Sequence, residues 1–219
     1  MSNPNQYVVF VDSGATSTKI VVATLAEALN IIQQPLAFHL MQNPEPSTPE
    51  SLTDEFVRTI ARLLEQRGAT HEQLRGVVLG VPTKVGEGGV LPDGLPNVAG
   101  DAWVNATPAE MLSRKIGKPV EIANDGNLAS IAAAYEYAAA VGKPFEEVTV
   151  DAIGVGSGLG GGQCRRGQIY FGEFFGAKES GHHPAAIHDA LFDFLATEHS
   201  LLGTKRLSVA ELQSILLED

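Results

Sequence analysis

A chain of 219 residues with 44% hydrophobic residues is long enough for one large domain or two small ones. A formal net charge of −11 disfavours nonspecific attraction to nucleic acid, which needs Lys and Arg against the phosphates. No apolar run approaches membrane-span length, no basic and apolar leader opens MSNPNQYVVF, and the one cysteine, Cys164, excludes an internal disulfide framework or a Cys-rich zinc site. The expectation is a cytoplasmic protein with a small soluble partner and no membrane or nucleic-acid partner.

YVVFVDSG is an apolar run that ends in an acidic and glycine turn. TKIVVATL follows at once, and PLAFHLM comes after AEALNIIQQ. Three β-type runs in succession predict a meander rather than a βαβ unit. SLTDEFVRTIARLLEQRGA then places Leu52, Phe56, Ile60, Leu63 and Leu64 at helical spacing, with Ser51 or Thr53 as cap and Gly68 at its end. RGVVLGVP reads as a buried strand, TPAEMLSRKIG as a short helix with Pro108 in its first turn, and PVEIAND as a further strand. An Ala-rich helix, LASIAAAYEYAAAVG, completes a β-β-β-α-β-α-β-α order over residues 7–142, which is a sheet with helices packed on it. EVTVDAIGVGS, GLGGGQCRRG and QIYFGEFFG restart a three-strand meander, followed by a helix, AAIHDALFDFLATEH. Element order repeats here, while the sequence itself does not.

The stretch DAIGVGSGLGGGQC satisfies G-x-G-x-x-G from Gly156 to Gly161. A dinucleotide fingerprint needs a long helix at the end of the glycines, and hairpin strands stand there instead. No Gly-Lys-Ser/Thr follows, so a P-loop is excluded. The remaining reading is a strand-turn-strand whose backbone N–H groups face an anion. The first turn, VDSGATSTKI, has the same character: Asp12 at a strand end, Gly14 for a tight turn, and hydroxyls on Thr16, Ser17 and Thr18. Taken alone, it is equally a polar hairpin capped by Asp and Gly.

Together these residues resemble the sugar kinases of the actin-like ATPase superfamily, specifically the ROK (repressor, open reading frame, kinase) group. Asp12-Ser13-Gly14-Ala15-Thr16 is similar to the family's Asp-x-Gly-Gly-Thr turn. Gly156-Ser157-Gly158-Leu159-Gly160-Gly161-Gly162 is similar to its second phosphate motif. Asn124-Asp125-Gly126-Asn127 and Glu179-Ser180-Gly181-His182 match its Asn-Asp-x-Asn and Glu-x-Gly-His motifs, and Pro96-Asn97 its Pro-Asn segment near the sugar. The four motifs run in family order over residues 8–183.

The resemblance implies an α/β, actin-like (ribonuclease H-like) fold, with one complete domain at 1–142 and the start of a second at 143–219. It implies ATP-dependent (or polyphosphate-dependent) phosphorylation of a hexose, glucose or a related sugar, at the 6-hydroxyl. Asp125 matches the family's general base, although the local sequence also allows it to cap a helix starting near Leu128. Asn97, Asn124, Glu179 and His182 match sugar ligands. Asp12 matches the acid that holds Mg²⁺ through water, and Gly14, Thr16, Thr18, Gly156, Ser157, Gly158 and Gly160 the phosphate turns. Lys19 either joins the donor phosphates or is a solvated strand charge.

Three departures from the family pattern stand out. Ala15 replaces the second glycine of the first turn. No Cys-rich loop follows Glu179-x-Gly-His182, so no structural zinc is expected, and Glu198 is the nearest later candidate for a further sugar ligand. No adenosine-binding glycine segment lies downstream of residue 183. The expectations are therefore a homodimer, a missing C-terminal continuation, or a non-catalytic sugar sensor or scaffold without a complete nucleotide site. The absence of a helix-turn-helix before residue 7 removes the DNA-binding repressor version, and a nicotinamide enzyme would require a helix after Gly162.

Overall fold

The computed structural model describes residues 6–14, 17–29, 36–95, 101–155 and 159–170, all inside one compact unit, Met1–Glu179. The expected meander is present as β1 (Tyr7–Ser13), β2 (Ser17–Thr24) and β3 (His39–Gln42), with a short helix α1 (Leu25–Leu29) between the last two. β3 is shorter than the apolar run PLAFHLM, because Phe38 stands outside the ladder and more than half exposed. After it come α2 (Pro49–Gln66), β4 (Leu74–Val81), α3 (Pro108–Ile116), β5 (Val120–Asn124) and α4 (Asp125–Val141).

Helix α2 starts earlier than its apolar spacing predicts. Thr48 is the cap and Ser51 its reciprocal partner: Thr48 Oγ1 accepts from the Ser51 N–H at 3.1 Å and Ser51 Oγ accepts from the Thr48 N–H at 2.9 Å. Pro49 occupies the first helical position, where its missing N–H costs nothing. Ser51 and Thr53 therefore lie within the helix, and Thr53 Oγ1 donates back to the Pro49 carbonyl at 2.6 Å.

The first sheet has the order β3-β2-β1-β4-β5. β1 runs antiparallel to β2 but parallel to β4, and β4 parallel to β5. Period-2 alternation sends Val9 and Val11, with Val77, Leu79 and Val81 of β4, to one face. There Leu52, Phe56, Ile60 and Leu64 of α2 and Leu112 and Ile116 of α3 complete one buried core.

A second sheet, β6 (Thr149–Val155), β7 (Leu159–Arg165) and β8 (Gln168–Ile169), is an antiparallel meander in that order. α4 packs on β6 and β7 through Ala134 and Ala138, against Val148 and Cys164, with Ile131, Phe145 and Val150 around them. Its buried stripe is small (Asn127, Ser130, Ala134, Ala138), so strand and helix backbones approach closely. The helix expected at AAIHDALFDFLATEH and most of QIYFGEFFG lie outside the described residues.

Candidate functional site

The three parallel strands β1, β4 and β5 finish on one edge of the first sheet. Asp12 is paired with Gly80, Gly80 with Ala123, and Val81 with Asn124. Two strand spacings separate the Asp12 and Ala123 columns, about 10 Å. Asp125 follows as the first residue of α4, so both expected carboxylates belong to the C-terminal edge of the parallel strands, where open α/β sheets place their ligands.

Asp12 and Lys19 face each other across the β1–β2 ladder and form an ion pair at 3.2 Å, with both side chains more than half exposed. Gly14 closes the turn by donating its N–H to the Ser17 carbonyl at 3.0 Å. A Cβ there would lie 2.8 Å from that same oxygen, so the tight turn requires glycine. Thr18 is fully buried, and its hydroxyl donates to Asn43 Oδ1 at 2.8 Å, while Asn43 Nδ2 donates to the Gly14 carbonyl at 2.8 Å. The Thr18 hydroxyl thus braces the turn from inside. Asn43 is the residue that sequence reasoning missed, since nothing in QNPEP marks it.

At β5 the chain turns directly into α4. Asn124 is the cap: its Oδ1 accepts from the Asn127 N–H at 3.2 Å, and its Nδ2 donates to the Thr83 carbonyl at 3.2 Å. The helix therefore starts at Asp125, three residues before the sequence-based start, and Asp125 is not the cap. Its Oδ1 accepts from the Gly126 N–H at 2.7 Å, and the residue remains exposed. A negative charge in this first turn also suits the helix dipole. Asn127 is buried, and its Oδ1 has no hydrogen-bond partner among the described residues.

Gly80 belongs to this site and was also missed. A Cβ at Gly80 would lie 3.1 Å from Leu128 Cδ1, so α4 seats its first turn on the sheet between the two carboxylate columns. The available signal was a glycine inside an otherwise branched strand, which marks a close approach.

The glycine run joins β6 to β7: Val155 pairs with Leu159 across the connection 156–158, and Gly154 with Gly160. Strand β7, not a helix, continues through Gly162, which removes the nicotinamide-enzyme reading. Gly160 lies in β7, whereas Gly156, Ser157 and Gly158 lie outside the described residues, as do Thr16, Asn97, Glu179, His182 and Glu198. Cys164 is buried under α4, and that burial pushes its thiol pKa up.

A family model for the ROK family matches residues 8–198. The chain belongs to the ROK family. Its fold is shared with solved ROK proteins of the actin-like ATPase type. One is the inorganic polyphosphate/ATP-glucomannokinase from Arthrobacter sp. strain KM, at 24% identity and TM-score 0.64, covering 86% of this chain and 68% of that one. Another is a ROK family glucokinase from Streptomyces griseus in complex with glucose and AMPPNP, at 26% identity and TM-score 0.60, covering 80% and 50%. The ROK hexokinase from Thermus thermophilus follows at 21% identity and TM-score 0.55, covering 81% and 53%. The present ROK chain thus spans between half and about two thirds of these proteins. Comparison with curated protein sequences gives no match.

Proposed function

We propose that this ROK protein transfers a phosphoryl group from ATP or polyphosphate to a hexose hydroxyl, with Asp125 as general base. The observation that carries the reading is the shared strand edge. It places Asp12 at the end of β1 and Asp125 directly after β5, two strands along the sheet. That separation suits a reaction in which one carboxylate faces the donor phosphates and the other faces the attacking oxygen.

In the transfer, the sugar hydroxyl oxygen bonds to the terminal phosphorus while the bridging P–O bond of the donor breaks, releasing ADP or a shortened polyphosphate. The hydroxyl proton passes to the Asp125 carboxylate. Asn124 holds that carboxylate in place by capping α4 and serves as a sugar ligand together with Asn97, Glu179 and His182. The donor phosphates fall to Gly14, Thr16, Gly156, Ser157, Gly158 and Gly160.

Asp12 fits a magnesium ion. It offers one exposed carboxylate oxygen donor at the end of β1. Such a donor set suits Mg²⁺, which keeps several waters and shares its remaining positions with phosphates. The ion neutralises charge on the donor when bound.

The sugar is a hexose phosphorylated at its 6-hydroxyl, with glucose the first candidate, since the Streptomyces griseus relative was solved with glucose. The test is sugar-dependent ADP release, with polyphosphate assayed in parallel. Asp125→Asn is expected to lower turnover by about 10²–10⁴-fold. Wild-type turnover in that variant would overturn the base assignment. A second reading, a sugar sensor without phosphoryl transfer, draws on a ROK family transcriptional regulator, a homolog of E. coli MLC protein, that shares the fold at TM-score 0.59. Calorimetric binding of glucose with no binding of an ATP analogue would favour the sensor.

A further inference from the structure

The glycines at positions 126 and 162 meet in a single contact between the two sheets' elements. β7 crosses the first turn of α4 with backbone against backbone. A Cβ at Gly126 would lie 2.5 Å from the Gly161 carbonyl oxygen and 3.1 Å from Asn124 Oδ1. A Cβ at Gly162 would overlap the Gly126 carbonyl and come within 2.8 Å of Asn127 Cα. The opposing atoms at Gly161, Gly126 and Asn127 belong to a strand and a helical turn rather than to flexible side-chain ends, so a small local shift does not relieve them. Closely apposed Cα–H and carbonyl groups of this kind also attract weakly.

This contact borders the candidate base on both sides. Asp125 immediately precedes Gly126 and is tied to the Gly126 N–H at 2.7 Å. Asn124, whose oxygen a methyl at Gly126 would crowd, is the cap that starts the helix. A phosphate cradle explains glycine in the 156–158 connection, but it does not explain Gly162, which lies inside β7 paired with Ala152.

We propose that Gly162 and Gly126 are positioning residues. Their backbone contact sets the height of the first turn of α4 against β7, and thereby fixes where the Asp125 carboxylate stands. The proposal rests on the reading of Asp125 as the base.

The test uses the 219-residue chain with Gly126→Ala, Gly162→Ala, the double variant, and Gly142→Ala as control. Gly142 ends the same helix with φ 65°, and a Cβ there meets nothing within 4 Å, so its variant strains the helix without touching the contact. Each contact variant is expected to lower kcat by about 100-fold, the order that a misplacement of about 1 Å brings. The sugar KM should stay within about threefold. The double variant should cost no more than the worse single one, because both break one contact. Amide exchange at Gly126 and Asn127 should rise by about tenfold in the contact variants and hold steady in Gly142→Ala.

Retention of wild-type kcat in Gly162→Ala, losses that multiply in the double variant, or an equal kcat loss in Gly142→Ala would each overturn the proposal. The two readings fail differently. If wild type shows no sugar-dependent turnover, the kinase reading falls and takes the role of Asp125 with it. Unaltered exchange at Gly126 and Asn127 in Gly162→Ala removes the glycine contact itself, whatever the activity.

Discussion

Replacing Asn124 by alanine removes two described interactions at once. The first is the α4 cap, in which Asn124 Oδ1 accepts from the Asn127 N–H. Loss of an asparagine cap costs about 1 kcal/mol. The second is the donation from Nδ2 to the Thr83 carbonyl, made by a side chain that is 1% exposed. A buried carbonyl left without its partner costs about 1–3 kcal/mol. The sum is about 2–4 kcal/mol, which for a chain of this size lowers the melting temperature by roughly 5–15 °C. Thermal unfolding followed by circular dichroism measures the shift. Asn124→Ser divides the two effects, because serine keeps a capping oxygen but lacks the amide donor; it should recover about 1 kcal/mol. The reasoning is refuted if Asn124→Ala melts within about 1 °C of wild type, or if Asn124→Ser is no more stable than Asn124→Ala.

Two further outcomes follow from the geometry. Thr18→Val removes the hydroxyl that donates to Asn43 and should cost about 1 kcal/mol while leaving the donor KM unchanged; a large rise in donor KM at unchanged stability would return the hydroxyl to the phosphate side. Glu27 has its pKa lowered, first by the Arg67 side-chain hydrogen bond at 2.6 Å and then by the Thr24 N–H. A depressed folded pKa means that this stabilisation is complete above the ordinary 4.5 and is lost as pH falls below it, so Glu27→Gln should flatten the acid limb of a stability-versus-pH curve.

The order of strands and helices over residues 7–142 was legible because period-2 and helical apolar spacing are local properties of the chain. Cap positions were less legible. Thr48 and Asn124 cap α2 and α4, whereas spacing pointed to Ser51 or Thr53 and to a start near Leu128. Apolar periodicity reports the buried stripe, and a first turn often lies before that stripe begins. The candidate site was half legible. Asp12 and Asp125 could be read from their turns, but their common edge depends on the parallel pairing of β1, β4 and β5. Gly80 joins the site only through that pairing, and Asn43 only through the antiparallel pairing of β2 with β3, since neither is near either carboxylate in sequence.

The glycine run shows why composition alone leads to one explanation too few. Read as a string, Gly156 to Gly162 is a single motif whose glycines share one purpose. In the fold it divides. Residues 156–158 connect β6 to β7, and to them falls the proposed phosphate role. Gly161 and Gly162 lie within β7 and are pressed against Gly126, in the turn that carries Asp125. A strand with side chains at these places could keep the connection intact and still be unable to lie on α4. The run therefore joins two proposed roles: a phosphate turn at its head and a bare backbone beneath the base. On this argument alanine at 162 and alanine at 158 should fail differently, the first through placement of Asp125 and the second through the donor.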